Sequence, residues 1–346
     1  MRRLETLIIL LAFGFYVWFL SRFGVTNVLG YVRLAGWGLL FTISLESLAR
    51  LANTLGWRLT ITDYPRDLSL RELFVARIAG EAIDYVTPSA QLGGQFVMAL
   101  MVRRKLAMAV GLASVVVASL AEAVGQIAFI SGGLVIGLPL EVGMHGLFWP
   151  TAAGLALALL LAGGFFIVQM KRPFSYLWRL AAKLDVPQMA DPEVIAAAAQ
   201  ADTLLVKFYE RYTPRFVAAC LCYTCAWALG PVEIMIYLRL LHQPATWTTA
   251  ILVEALGLLV ERATFLIPAK LVSQEGGKAL ILSMLGYSAD IGFAIGFLRR
   301  IKEMAWVTFG LSGLAAHRIV RERTDAAAAR AENAMQIQRA QGGESI

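Results

Sequence analysis

Six long apolar runs alternate with polar segments along this chain of 346 residues. The runs cover residues 4–22, 33–57, 106–138, 147–170, 215–241 and 287–315. Each reaches the length of about 18 residues that a helix needs to cross the hydrocarbon core of a bilayer. A backbone inside lipid must satisfy its own polar groups, and a helix does so within one segment. The pattern therefore predicts an all-α polytopic membrane protein with about six transmembrane helices.

A further apolar stretch, residues 71–101, does not fit a plain crossing. It carries Glu81 and Asp84 and is interrupted by Pro88. A polar segment with paired glycines follows, and only residues 96–102 after it are apolar enough to lead back through the membrane. A helix of about seven residues rises about 10 Å, a third of the roughly 30 Å hydrocarbon core. We predict a re-entrant broken-helix hairpin here.

The stretch 246–285 has the same features in the same order. Seven residues separate Glu81 from Pro88 and also Glu261 from Pro268, and each proline is followed by a polar turn that ends in Gly-Gly. We therefore predict two half-repeats of opposite orientation, 37–138 and 216–315, each with one hairpin. Matching interrupted segments in two halves indicate a transporter binding site. The alternative is eight plain transmembrane helices whose similarity arises by chance.

Charge placement predicts the topology. The net charge is +7, and 58% of the residues are hydrophobic, against about 45–50% in soluble chains. Three Lys/Arg fall in the predicted external loops and twenty in the predicted internal segments. The positive-inside rule then places both termini in the cytoplasm. We expect one membrane domain, 1–320, with a cytoplasmic connector, 171–215, and a partly disordered cytoplasmic tail, 321–346.

The candidate substrate-binding residues lie in the two hairpins and in the long helix that follows each. Half-helices present free amide donors that suit a phosphate, the basic residues suit an anionic head group, and the carboxylates suit a cationic one or a coupling proton. The set comprises Glu81, Asp84, Pro88, Gln91, Gly93, Gly94, Gln95, Glu122, Glu261, Arg262, Pro268, Lys270, Glu275, Gly276, Gly277, Lys278, Arg299 and Arg300.

Several charges are spaced four apart on one helix face: Glu46/Arg50, Arg77/Glu81 and Arg299/Glu303. This spacing equally fits pairs that neutralise each other and only fix helix packing. Enzyme signatures are missing, since no P-loop and no His-Glu-x-x-His motif occurs. We expect no catalytic residue, no metal, no cofactor and no nucleic-acid partner.

The stretch from Gly80 to Gln95, with the later Glu261 to Pro268 site and Gly276-Gly277, resembles the flippase-like family. This is the transmembrane domain of lysylphosphatidylglycerol synthases and its stand-alone relatives, including a hopanoid-associated branch. The resemblance covers most of 1–320. It implies a bacterial cytoplasmic-membrane protein that moves a lipid between leaflets, with a phospholipid or hopanoid-type lipid as partner. The polar turn after Pro268 is three residues longer than the turn after Pro88, so the two turns do not match in length.

The first hypothesis is therefore a lipid flippase or translocase that binds a head group at the paired broken helices. One alternative is a non-catalytic membrane component of a lipid-synthesis complex, in which lipid-synthesis enzymes are the partners. The other is an intramembrane enzyme that modifies a lipid head group with the same carboxylates. The oligomeric state stays open.

Overall fold

The computed structural model describes residues 33–87, 92–137, 148–171, 174–175, 192–263 and 273–342, and its regular secondary structure there is helical. Eleven helices are defined within these ranges. They are α1 (Trp37–Thr60), α2 (Leu70–Val86), α3 (Leu92–Val102), α4 (Met108–Gly137), α5 (Phe148–Met170), α6 (Pro192–Arg211), α7 (Thr213–Trp227), α8 (Gly230–Leu240), α9 (Trp247–Ala263), α10 (Ser273–Met284) and α11 (Ala289–Gly342). The all-α class predicted from the sequence is confirmed for this part of the chain.

Three helical segments in the described ranges are long and apolar enough to cross a membrane. They are Met108–Gly137, Ala152–Met170 and Thr213–Leu240. The last consists of α7 and α8 in succession, because Pro231 cannot donate the backbone hydrogen bond that a continuous helix needs. Helices also form in the predicted runs 33–57 and 287–315, where charged residues interrupt the apolar sequence. The run 4–22 lies outside the described residues.

The two interrupted stretches each form a pair of packed helices, α2 with α3 and α9 with α10. At a rise of 1.5 Å per residue, the 11 residues of α3 and the 12 of α10 extend about 17 Å, well short of the hydrocarbon thickness. The turns themselves, with Pro88, Gln91, Pro268 and Lys270, lie outside the described residues. Re-entry at these turns therefore stays a prediction.

One expectation about these stretches is wrong. Gly93-Gly94 and Gly276-Gly277 are expected in the turns, yet they lie within the first five residues of α3 and α10. The glycines serve helix contact instead. A Cβ on Gly94 would overlap the carbonyl oxygen of Gly80 on α2, and one on Gly277 would lie 3.0 Å from Val260 Cγ1 on α9. These contacts depend on the tertiary packing, which the local sequence does not reveal.

The long last helix of each half packs against the first helix of the other half's pair. Helix α4 contacts α9, and helix α11 contacts α2. Glycines permit both approaches: Gly133 and Gly137 of α4 face Ile251 and Leu252, and Gly310 of α11 faces the Ile78 carbonyl oxygen. The two predicted halves are therefore packed against each other through these four helices.

The connector contains α6, which begins at Pro192 and ends at Arg211. Asp202 of α6 is buried and accepts backbone hydrogen bonds from Phe174 and Ser175 at 3.0 and 2.8 Å. Helix α11 continues without interruption to Gly342. The tail is therefore helical as far as Gly342, and its last four residues lie outside the described residues.

Candidate functional site

Two large apolar clusters pack the helices together, and a network of many charged side chains lies on the same helices. One cluster draws on α1, α2, α3, α4 and α7, and the other on α1, α4, α8, α9, α10 and α11. Charges in such surroundings are tolerated when they are paired and hydrogen-bonded. The described part of this network follows that rule closely.

Arg77 is the centre of the network in the first half. Its side chain is 5% exposed, and its Nε and Nη2 donate to Glu81 and Glu122, each at 2.9 Å. Its Nη1 donates to the Tyr223 hydroxyl at 3.2 Å. Glu81 also accepts from Arg50 of α1. The expected Arg77/Glu81 pair therefore exists, but each member also binds a residue on another helix.

Arg299 is the centre of the network in the second half. Its Nη1 and Nη2 donate to the two carboxylate oxygens of Glu254 at 2.6 and 2.7 Å, and its Nε lies 3.7 Å from Glu233. Gly230 makes room for this pair, because a Cβ there would lie 2.6 Å from the Glu254 carboxylate carbon. The pairs Arg77–Glu122 and Glu254–Arg299 are both separated by 45 residues, with the charges exchanged.

Lys302 links the helices of the two halves. Its ammonium group lies 2.8 Å from Glu46 of α1 and 2.7 Å from Glu233 of α8. Beside it, Arg300 is fully buried and forms a two-point contact with Glu275, with Nη2 and Oε2 at 2.8 Å. These contacts tie α11 to α1, α8 and α10.

A polar cavity of about 240 Å³ lies in the middle of this network. Its charged lining contains seven carboxylates and three cations. They are Glu46, Glu81, Glu122, Glu233, Glu254, Glu261 and Glu303, with Arg50, Arg299 and Lys302. Two indoles, Trp227 and Trp306, also line the cavity, together with the uncharged polar side chains of Thr42, Asn53 and Tyr85. Among the described side chains, the lining is therefore strongly acidic.

The wider network keeps this imbalance. Arg77 binds two lining carboxylates, Lys278 lies 3.7 Å from Glu261, and Arg300 is neutralised by Glu275. With these included, eight described carboxylates face six described cations. An uncompensated charge costs several kcal/mol in a low-dielectric interior. The arrangement therefore suits a positively charged guest or bound protons.

Three buried N–H donors on the cavity wall have no acceptor among the described residues. They are Arg50 Nε, Trp227 Nε1 and Trp306 Nε1. Trp306 also lines a second, apolar pocket together with Phe74, Val75, Ile78, Phe309 and Gly313. The polar cavity and the apolar pocket thus share Ile78 and Trp306 as a common wall.

The structure brings only part of the predicted site together. Glu81, Glu122, Glu261 and Arg299 line the polar cavity, and Glu275, Lys278 and Arg300 pair beside it. Each described cation that was expected to hold an anion already binds a carboxylate. Pro88, Gln91, Pro268 and Lys270 lie outside the described residues, and so does the side chain of Arg262.

The remaining residues of the first pair hold α3 against its neighbours. Asp84 accepts a hydrogen bond from the Gly94 amide at 2.8 Å, and Gln95 donates to Ser119 of α4 at 2.7 Å. The Gly94 donor expected for a phosphate is thus already occupied by a carboxylate. Gly93 and Gln95 are half-buried, and neither lines the polar cavity.

Sequence reasoning left several cavity residues out of the predicted site. Glu46, Arg50, Glu233, Glu254, Lys302 and Glu303 line the cavity, and Arg77 binds two of its carboxylates. The available signal was their position as ionisable residues within or beside apolar runs. That signal identifies buried charges, although it does not say which of them share one cavity.

The chain matches the family described as Lysylphosphatidylglycerol synthase TM region over residues 6–311. No curated protein and no solved structure matches it.

Proposed function

The chain belongs to the lysylphosphatidylglycerol synthase transmembrane-region family, and from that premise we propose that it is a translocase that moves a lipid between bilayer leaflets. The family match supports a multi-pass membrane protein with a role connected to membrane lipids. The proposal places the lipid head group in the polar cavity. It assigns no covalent step to the chain, and it places the protein in the bacterial cytoplasmic membrane with both termini inside.

The acidic lining of the polar cavity carries this proposal. Seven carboxylates against three cations favour a head group that bears a positive charge, such as an ammonium. The buried donors Arg50 Nε, Trp227 Nε1 and Trp306 Nε1 suit the phosphate of the same head group. A zwitterionic or cationic phospholipid satisfies both sets, whereas an uncharged hopanoid-type lipid leaves the carboxylates uncompensated.

The two halves supply the means of movement. Each half's long helix packs on the other half's pair, and the cavity lies where Lys302 joins α1 and α8. Rocking of one half against the other would open the cavity to each leaflet in turn. The charge-exchanged pairs Arg77–Glu122 and Glu254–Arg299 would keep each half rigid during that motion.

The test is a flipping assay in phosphatidylglycerol vesicles that contain the purified protein. Acyl-labelled phosphatidylethanolamine is the probe, and acyl-labelled phosphatidylglycerol is the comparison lipid. We expect faster movement of phosphatidylethanolamine and at least a tenfold loss in Glu261→Gln. Glu72→Gln is the matched control, because Glu72 binds Lys105 at 2.9 Å near the polar end of α2, away from the cavity.

Equal rates for wild type, Glu261→Gln and empty vesicles would contradict the proposal. A changed lipid mass after incubation would instead indicate an enzyme. Full transport by a folded Glu261→Gln variant would show that the head group does not bind in the polar cavity.

A further inference from the structure

Glu303 differs from the other carboxylates of the polar cavity in its partners. The other six each lie within 4 Å of a basic side chain: Glu46, Glu81, Glu122, Glu233, Glu254 and Glu261. Glu303 instead accepts from two uncharged donors, the Tyr85 hydroxyl at 3.1 Å and the Gln274 amide at 3.0 Å. Among the described residues, no basic side chain forms an ion pair with it.

The charged groups that surround Glu303 are already engaged with one another. Arg50 on α1 binds Glu46 and Glu81, Lys278 on α10 pairs with Glu261, and Arg300 on α11 binds Glu275. Each of these cations therefore has a carboxylate partner within 4 Å, and none of them lies within 4 Å of the Glu303 carboxylate. Glu303 is thus the lining carboxylate whose negative charge has the least local compensation.

Gln274 can form a hydrogen bond with Glu303 whether the carboxyl group is ionised or protonated. Its side chain is 1% exposed, and its Oε1 atom has no hydrogen-bond partner among the described residues, while its Nε2 donates to Glu303. An ionised carboxylate needs donors, whereas a protonated carboxyl group also needs an acceptor. A half-turn of the amide would present the free Oε1 atom to a Glu303 O–H.

We propose that Glu303 binds a proton when the polar cavity is empty and releases it when a positively charged head group enters. The carboxylate takes H⁺ from water, which removes one charge of the acidic surplus. Entry of an ammonium group replaces that positive charge, and the proton returns to water. This exchange rests on the proposed function, because the head group is the second cation in it.

Infrared difference spectroscopy of the full chain in phosphatidylglycerol nanodiscs tests the proton directly. The carbonyl-stretch band of a protonated carboxyl group should appear on acidification, and Glu303→Gln should lack one such component. Short-chain phosphatidylethanolamine should reduce that component in the wild type. Glu72→Gln is the control and should retain it. Glu303→Asp should shift the band, which covers the case that the glutamine variant does not fold.

The affinity for phosphatidylethanolamine provides the second measurement. Displacement of one proton per head group predicts a fall of about tenfold in affinity per pH unit on the acidic side. Glu303→Gln should remove this dependence. Identical acid bands in wild type and both Glu303 variants would overturn the proposal, as would a pH-dependent affinity that survives in Glu303→Gln. Absence of flipping with the Glu303 band intact would contradict the transport function alone.

Discussion

Arginines in the interior of this protein join different helices. Arg77 of α2 binds Glu122 of α4, and Arg299 of α11 binds Glu254 of α9. Removal of one member of a buried ion pair leaves the other charge without a partner, and this typically costs about 3–5 kcal/mol. These contacts should therefore make a large difference to stability.

A double-mutant cycle on Arg77 and Glu122 measures this difference. We expect Arg77→Met to lower the free energy of unfolding by about 3 kcal/mol, because Glu81 and Glu122 both lose a donor. Glu122→Gln should cost less, since Arg77 keeps Glu81. The double variant should recover about 1 kcal/mol relative to the sum of the two single variants. Unfolding by sodium dodecyl sulfate in mixed micelles provides the measurement.

Cys225→Ser supplies a control for that cycle, because Cys225 is exposed and takes part in neither ion pair of Arg77. It should leave the unfolding free energy within about 0.5 kcal/mol of the wild type. Strict additivity of the two single variants would mean that the Arg77–Glu122 contact does not couple the helices.

The sequence predicts buried charge in this protein better than it predicts charge partners. The spacing of four residues identifies Glu46/Arg50 and Arg77/Glu81, and both pairs form. The same spacing fails for Arg299 and Glu303. Arg299 binds Glu254 instead, and Glu303 accepts hydrogen bonds from Tyr85 and Gln274. A helix period places two side chains on one face, but the neighbouring helices determine which partner is nearer.

At the level of helices, glycines determine how closely the elements approach. Gly292 and Gly296 of α11 face the backbone of Lys278, Ala279 and Glu275 on α10. Small residues at this spacing allow close backbone contact in membrane proteins. The Gly292-x-x-x-Gly296 pattern is visible in the sequence, whereas the contact of Gly310 with α2 is not, because an isolated glycine carries no periodic signal.

Gly310→Ala tests this close approach. The added methyl group would overlap the Ile78 carbonyl oxygen and lie 2.7 Å from the Ala82 Cβ, so α11 must move away from α2. We expect the unfolding free energy to fall by about 2 kcal/mol, as for other overpacked sites. The measurement is again unfolding in mixed micelles.

Gly132→Ala is the matched control within α4. No described atom lies within 4 Å of the Cβ that it would add, and Gly132 is exposed. Alanine is favoured over glycine in a helix by roughly 0.5–1 kcal/mol, so this variant should be as stable as the wild type or slightly more stable. Equal effects of the two substitutions would contradict a specific α11–α2 contact.

At the level of the whole molecule, the division into two halves stays a prediction, and two features of the structure are consistent with it. Helix α4 packs on α9 as α11 packs on α2, and the buried arginine–glutamate pair recurs in each half with its charges exchanged. The repeated order of glutamate, proline and paired glycines predicts this division from the sequence. The exchanged charges could not be predicted, because a repeat search looks for similar residues and not for opposite ones.

An inverted repeat requires that equivalent loops lie on opposite sides of the membrane. The loop between α3 and α4 contains exposed Arg103, and the loop between α10 and α11 contains exposed Ser288. In a background with Cys220, Cys222 and Cys225 replaced by alanine, we expect Arg103→Cys to react with an impermeant maleimide only from the cytoplasmic face. Ser288→Cys should react only from the external face.

Labelling of both cysteines in right-side-out cells and in inverted vesicles distinguishes the two possible architectures. Opposite accessibility supports halves related by a twofold axis in the membrane plane, which places one exposed loop on each face. Accessibility from the same face would require halves of equal orientation. The predicted inverted repeat would then be wrong, and rocking of the halves would have to follow the parallel-repeat arrangement, in which the axis that relates them runs along the membrane normal.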